Sequence, residues 1–343
     1  MSDVYDPTRL GQKNNTGGTD ELFLKVFSNE ILATFEKTQI MKPLHTIRTI
    51  SSGKSATFAT IGTATAAYHT PGENIMTKSH DHDADGNTAE VSKYTTNFNM
   101  NEQVVNIDKM LVSSTFIPNI DELKNHFDVR GQFSKELGTA LAQRFDRAVL
   151  KTLAAGATDS SAQPSGQPAG INFNGATSTG AELVSTIAKI AQLLDENDVP
   201  DDGTRFAILK PEEYYKLVST DNIAIQKDYG GSGGVAAGNI PQIAGINIFK
   251  SNNLKAVAVA TQPDSDDSSS NNDVFGASGA GYNPTNLSST VILGGHPSAV
   301  GTVKLLDLAT ESDYSVQHQG TLMVAKYAMG HAVLRAGACV NVT

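Results

Sequence analysis

The chain has no tryptophan and only one cysteine, Cys339, among its 343 residues. A single cysteine cannot form an internal disulfide, so the fold must depend on its hydrophobic core. No stretch reaches the roughly 18 apolar residues of a membrane-spanning helix. The first residues, Met1 to Val4, do not begin the basic and then apolar pattern of a secretion signal. These absences predict a cytoplasmic origin and no membrane partner.

Basic residues are also few. Lys and Arg total 26 against 36 Asp and Glu, which gives a net charge of −10. A surface with this balance does not attract phosphate backbones, so nucleic-acid binding through a basic footprint is not expected. The apolar content of 39% and the 30 glycines are typical of a loop-rich globular protein with both strands and helices. The length fits two domains or one large domain with insertions.

The first fifty residues predict an arm. Residues 1–20 show no hydrophobic periodicity and are interpreted as a flexible segment. From Glu21 to Glu36 the apolar residues recur every third or fourth position behind Asp20, which can cap a helix. This pattern predicts an amphipathic helix whose apolar stripe needs a cover. Another subunit can provide that cover.

Two strand-like stretches, Ile47–Tyr68 and Val104–Ile117, enclose a polar, turn-rich span from Thr70 to Asn101. The simplest interpretation is a long β-hairpin with an excursion at its tip. A protruding hairpin cannot bury both of its faces within its own chain, and an isolated one is marginally stable in water.

The segment from Asp128 to Ala155 carries the strongest single pattern. Large apolar residues repeat there at every fourth position, at 129, 133, 137, 141, 145, 149 and 153. Asp128 can cap this helix, and Gly156 is predicted to end it. Such a helix is about 42 Å long, and its stripe winds partly around the axis. We therefore expect several neighbouring elements to contact it.

The pattern then becomes α/β after a Ser, Gly and Pro linker at Thr158–Gly170. Thr179 and Glu182 form a predicted capping box for a helix with apolar residues at 183, 187, 190 and 194. Further elements are predicted as a strand at 205–209, a helix at 211–218 and a strand at 246–249. Later strands are predicted at 291–293, 300–308, 322–327 and 338–342. Two low-complexity loops, Gly230–Gly238 and Gln262–Asn286, interrupt this part, and the second contains an acidic serine run at 264–273.

Three short motifs partly match known ligand-binding patterns, but solvated turns and a flexible loop are simpler interpretations. Asp81–Gly86 has the alternating carboxylates and glycine of a calcium loop, but the closing position is Ser92 and Glu90 lies two residues early. Gly53-Lys54-Ser55 lacks the upstream glycine of a phosphate loop. The tract Gly230–Gly234 matches glycine motifs of nucleotide and hydrolase sites only because it is glycine-rich.

The eight histidines and Cys339 form no spacing typical of a catalytic dyad. The sequence therefore predicts no enzyme, no cofactor and no metal. A calcium-binding surface-layer or adhesin-like protein remains the alternative function, on the strength of Asp81–Asp85 and the acidic tract. A nucleotide enzyme built on Gly230–Gly238 is a third hypothesis.

Six segments, in order along the chain, resemble the major capsid proteins of T7-like short-tailed phages. They are FLKVF at 23–27, IRTISSGKSATF at 47–58, AYHTPGENI at 67–75, HFDVR at 126–130, SAVGTVK at 298–304 and VAKYAMGH at 324–331. The region from about 157 to 289 resembles the family only in pattern. Agreement of six separated segments is more specific than any single motif.

The resemblance implies an α+β protein with the HK97-type capsid fold. Its parts are then an N-arm at 1–50, an extended loop at 51–103, a peripheral domain at 104–176 and 298–343 with a spine helix at about 128–155, and an axial α/β domain at 177–297. The implied function is structural. Copies assemble through hexamers and pentamers into an icosahedral head that encloses double-stranded DNA without sequence-specific binding.

The resemblance also implies a scaffolding protein and a portal as partners, with synthesis in the host cytoplasm and a final place in the virion. Expansion of the shell is expected when DNA enters. Four charged residues are candidate subunit contacts. Lys54 and Glu73 lie on the proposed extended loop, where opposite charges can reach Arg144 or Arg147 on the spine helix of a neighbour. Ordinary solvated charges are the alternative reading of these residues.

Overall fold

The long helix at the centre of the sequence is the element on which the fold is built. The computed structural model describes residues 39–62, 64, 66–69, 71, 72, 75, 78–80, 90–92, 100–107, 110–120, 130–159, 167–219, 240, 242–254, 287 and 289–343. Helix α1 spans Arg130–Thr158. It packs against strands of both large sheets, so the prediction of several neighbours is confirmed. Leu141, Phe145, Val149 and Leu153 of its apolar stripe are fully buried.

Gly156 is predicted from the sequence to end α1, but the helix continues to Thr158. The glycine instead allows a close approach to the carboxyl-terminal part of the chain. A Cβ at this position would lie 2.8 Å from both Cys339 Sγ and Val333 Cγ2. The expected cap, Asp128, is outside the described residues.

A four-stranded sheet covers one side of α1. Its order is β1 (Thr46–Thr49), β12 (Val300–Ser315), β13 (Gly320–Val333) and β6 (Leu111–Pro118). β1 runs parallel to β12, and the other pairs are antiparallel. The strands predicted at 300–308 and 322–327 are too short, since β12 and β13 stay paired to Ser315 and Gly320. The distal part of β12 is polar and exposed, so hydrophobic pattern could not reveal it.

The predicted hairpin forms between β2 (Ser55–Ile61) and β5 (Met100–Asn106). Its two long stretches are nevertheless broken. One divides at the turn around Gly53, where φ is +112°. The stretch Val104–Ile117 divides between β5 and β6, so the expectation of one strand there is wrong. Nearer the tip, β3 (Lys78–His80) and β4 (Glu90–Ser92) form a small antiparallel pair.

A six-stranded sheet forms the second layer around α1. Its order is β7 (Ile171–Phe173), β14 (Cys339–Val342), β11 (Ile292–Gly295), β8 (Phe206–Leu209), β10 (Ile246–Lys250) and β9 (Gln242–Ile243). Two helices accompany it, α2 (Gly180–Glu196) and α3 (Pro211–Ser219). β14 follows β13 in the chain but pairs with β11 and β7 in this sheet. All four β14 residues are buried, which fits a central position.

The capping box of α2 is confirmed. Thr179 Oγ1 accepts a hydrogen bond from the Glu182 amide at 3.3 Å, and Glu182 Oε2 accepts one from the Thr179 amide at 3.0 Å. We expect Thr179→Ala to lower the free energy of unfolding by about 1 kcal/mol, because one helix-terminal N–H loses its acceptor. Urea unfolding of the unassembled chain measures this change. Thr179→Ser keeps the hydroxyl and is the matched control, and an equal loss in the serine variant would contradict the explanation.

Candidate assembly surfaces

The β2–β5 hairpin is held at its outer end by the Gln167 side-chain amide, which donates to the Ile61 carbonyl oxygen at 3.2 Å, and more extensively at its base. Ala56, Val105 and Ile107 are buried there against Val303 and Ala328 of the four-stranded sheet. The backbones approach closely, since a Cβ on Gly330 would overlap the Asn106 carbonyl oxygen. Only glycine therefore fits at this point of β13, and the base of the hairpin has a fixed position on the sheet.

Apolar side chains on the rest of the hairpin are uncovered. Ile61 is 54% exposed at the end of β2, and Val104 is 41% exposed on β5. Further along the loop, Tyr68 is 99% exposed and Ile75 is 55% exposed. A cluster of exposed large apolar residues on an otherwise polar projection is typical of a surface that another molecule covers.

The tip of the β12–β13 hairpin is a second projecting surface that the sequence analysis did not identify. Tyr314 and Val316 are exposed there. The Asn119 side chain donates from Nδ2 to the Tyr314 hydroxyl at 2.8 Å, and that hydroxyl donates to Gln319 Oε1 at 3.4 Å. These bonds hold the tip in one shape before any partner binds. Ile120, just beyond the end of β6, is a further exposed apolar residue near this tip.

Residues 39–45, which we call the arm base, precede β1 in the chain and pack against α1. The carboxylate of Asp146 on α1 accepts hydrogen bonds from the amides of Ile40 at 3.1 Å and Met41 at 3.2 Å. His45 Nδ1 donates to the Met41 carbonyl oxygen, which can only accept. The Met41 side chain is buried in the core. Polar and apolar contacts together therefore fix the arm base on the helix.

Three ionisable side chains around the arm base have pKa values that differ from their ordinary ones. Burial raises the pKa of Asp146 to about 6, although its two amide bonds oppose the rise. Burial lowers the pKa of His45 to about 4, against the effect of its bond to Met41. Burial and the nearby His45 lower the pKa of His331 to about 3. The Phe145 ring centroid lies 5.7 Å from that of His45 and 5.4 Å from that of His331.

The structure describes three of the four predicted contact residues, Lys54, Arg144 and Arg147. Lys54 is exposed in the turn before β2, and its carbonyl oxygen accepts from the Ile107 amide at 2.8 Å. Arg144 and Arg147 are half-buried, one turn apart on α1. The charge of Arg144 acts on Tyr327, where it opposes the burial that raises the pKa of that phenol. Glu73 is outside the described residues, and the contact role of all four residues stays a prediction.

Several other sequence features also lie outside the described residues. They are the helix predicted at 21–36, the candidate calcium loop at 81–86, the glycine tract at 230–238 and the acidic serine run at 264–273. Within the described part of the chain, no group of three or more His, Cys, Asp or Glu side chains could hold a metal ion. No helix in that same part is long and apolar enough to cross a membrane.

Comparison with known proteins supports a single family. The Gp10A-like family model, described as major capsid protein, matches residues 57–343. The major capsid protein of Enterobacteria phage T3 is 33% identical over 353 aligned positions, covering 97% of this chain and 95% of that protein. The major capsid protein of Escherichia phage T7 is 32% identical and covers 93% of this chain and 91% of its own length.

Solved structures agree with the sequence comparison. The capsid structure of cyanophage P-SCSP1u is 34% identical to this chain, with a TM-score of 0.69 and coverage of 99% of this chain and 98% of that one. The mature capsid of bacteriophage PhiM1 is 14% identical, has a TM-score of 0.65 and covers 89% of this chain and 86% of its own, which supports the fold alone. The calcium-binding alternative finds no support in these comparisons.

Proposed function

We propose how copies of this chain build a phage head, from the premise that the chain belongs to the Gp10A-like family of major capsid proteins. It is a structural protein of the virion with the HK97-type α+β fold, and its copies form the capsid shell. We assign the described elements to the parts that the family resemblance implies. The arm base ends the N-arm, the β2–β5 hairpin is the extended loop, and α1 is the spine helix. We assign residues 177–297, with α2, α3 and β8 to β11, to the axial domain, which gathers at the centres of hexamers and pentamers.

The uncovered apolar surfaces carry this proposal. A single subunit leaves Ile61, Val104 and Tyr68 of the hairpin in water, together with the β12–β13 tip. An isolated two-stranded hairpin is marginally stable, and its open edges favour pairing with other chains. Neighbouring subunits remove both liabilities when they cover the hairpin. Apolar burial contributes about 25 cal/mol for each Å², and the contact repeats at every subunit of a shell.

The remaining partners follow from family resemblance and charge. A net charge of −10 suits a container, because packed DNA does not adhere to an acidic wall. The chain encloses DNA without reading its sequence. A scaffolding protein guides assembly, and a portal occupies one vertex. The chain has no enzymatic activity of its own, in keeping with the structural role of its relatives.

The charged residues of the extended loop are proposed contacts between subunits. Glu73 reaches Arg144 or Arg147 on the spine helix of the neighbour, and Lys54 lies at the base of the same loop. Each exposed ion pair contributes only about 0.2–1 kcal/mol. Repetition around every capsomer makes the sum matter for assembly although the fold of one subunit hardly depends on it.

We expect Glu73→Lys to reduce the yield of assembled particles several-fold, because an attraction at each subunit contact becomes a repulsion. The melting temperature of the unassembled chain should stay at the wild-type value. Particle yield is measured by sedimentation and electron microscopy of equal amounts of expressed chain.

A charge exchange provides the matched control for this contact. Glu73→Lys combined with Arg144→Glu, or with Arg147→Glu, should restore particle yield if the two side chains meet across the interface. Normal particles from Glu73→Lys alone would remove this contact from the account. Failure of both exchanges to restore yield would place the Glu73 partner elsewhere.

A further inference from the structure

Two buried histidines lie where the arm base meets the body. His45 belongs to the arm base, His331 belongs to β13, and the ring of Phe145 on α1 contacts both. The charged and titratable groups that act on this cluster come from three elements: Arg144 and Asp146 of α1, Lys304 of β12, and Tyr327 of β13. The cluster thus brings the arm base together with groups of α1, β12 and β13.

The surroundings of both imidazole rings favour the neutral form. Because His45 Nδ1 donates to the Met41 carbonyl, its Nε2 must carry a lone pair, and this atom is buried with no hydrogen-bond partner among the described residues. A proton on Nε2 would have no acceptor among the described residues and would lie near the charge of Lys304. His331 Nδ1 is 2.8 Å from the Thr302 hydroxyl, and both residues are buried.

We propose that the arm base is a latch released by acid, in which protonation of His45 and His331 frees residues 39–45 from α1. The inference deepens the proposed function, because the arm base joins the N-arm to the spine helix. Opening brings His45 into water, takes its ring away from Phe145 and His331, and removes the Met41 side chain from the hydrophobic core. It also returns the carboxylate of Asp146 to water.

The number of protons on these groups predicts how the latch depends on pH. Between about pH 4 and pH 6 the closed latch holds one proton, on Asp146, because both histidines are neutral. In the open latch Asp146 ionises and both histidines take up a proton, which gives two. Opening therefore binds one net proton, and its equilibrium constant rises about tenfold for each unit that the pH falls. Acid therefore favours the open form, although the proton that Asp146 loses on opening offsets one of the two protons that the histidines gain.

Single substitutions change that proton count in opposite directions. His331→Asn leaves one proton in each state, so opening should become independent of pH in this window. His45→Asn keeps a donor for the Met41 carbonyl and should give the same flat response. Asp146→Asn removes the compensating proton, so opening should bind two protons and change about a hundredfold per pH unit. A purely structural role for these residues would change the extent of opening and leave its pH dependence as in the wild type.

Hydrogen exchange followed by mass spectrometry of the full-length chain tests the latch. Exchange at residues 39–45 is compared at pH 5.5 and pH 4.5 after correction for the chemical exchange rate. We expect about a tenfold rise for the wild type and for His318→Asn, the matched control at the exposed β12–β13 tip. We expect no rise for either buried-histidine variant.

Three results would overturn the latch: no rise in the wild type, an equal rise across α2, which would indicate global unfolding, or a tenfold rise that persists in both His45→Asn and His331→Asn. Electron microscopy of the same samples keeps the two proposals apart. Absence of shells would contradict the proposed function, whereas the exchange at residues 39–45 reports on the latch in assembled and unassembled chains alike.

Discussion

Replacing Phe145 by alanine is expected to lower the free energy of unfolding by about 3–5 kcal/mol. The ring is 1% exposed and packs edge-on against Tyr327 and His331, with His45 at its other side. Removal of the ring leaves a cavity between α1, β13 and the arm base, because the surrounding packed elements cannot move enough to fill it. A loss of this size is a large fraction of the total stability of a domain. Urea unfolding of the unassembled chain at low concentration measures it.

Phe133→Ala is the matched control, since Phe133 lies on the same stripe of α1 but is only half-buried. We expect its cost to be less than half that of Phe145→Ala, because less apolar surface returns to water and less cavity forms. Equal losses for the two variants would mean that the junction around Phe145 is not the stabilising centre that the packing indicates.

Gly330→Ala is expected to abolish most shell formation while the chain remains folded. The added Cβ would overlap the Asn106 carbonyl oxygen, so β5 must move away from β13. Overpacking of this kind costs about 1–3 kcal/mol, and the displaced hairpin would carry its exposed apolar residues away from the neighbour at every contact. We therefore expect the particle yield to fall by more than about tenfold. Electron microscopy with sedimentation measures the yield, and circular dichroism measures the fold.

Gly294→Ala gives the same substitution at a site far from the hairpin. Its Cβ would lie 3.3 Å from the Phe206 carbonyl oxygen in the six-stranded sheet, which requires only a small adjustment. This variant should lose some stability and keep assembling. Wild-type particle yield from Gly330→Ala would contradict the role given to the hairpin base.

The helices were predictable because their signals are local. The stripe of α1 and the box at Thr179 and Glu182 lie within a few turns of the residues that they organise, and the structure confirms both. Strand ends were less predictable. The distal part of β12, with Glu311 and Asp313, has no apolar face to mark it, and it is a strand because β13 pairs with its backbone.

The cluster at the arm base could not be predicted from sequence. Asp146 follows Phe145 on α1, and its sequence position predicts an ordinary exposed charge. In the structure it is only 1% exposed. It is buried because its carboxylate accepts amide bonds from residues about a hundred positions earlier, which no periodicity encodes. His45 and His331 are likewise brought together only by the packing of the arm base on β13. Long-range contacts of this kind depend on the whole fold.

The central claim is that the β2–β5 hairpin of one subunit is completed by a neighbouring copy. Cryo-electron microscopy of particles from the expressed full-length chain tests it most directly. The account predicts closed icosahedral shells in which the side chains of Ile61, Val104 and Tyr68 are covered by an adjacent subunit. Purified chain that stays a compact monomer at high concentration, or shells in which this hairpin touches only its own subunit, would contradict it.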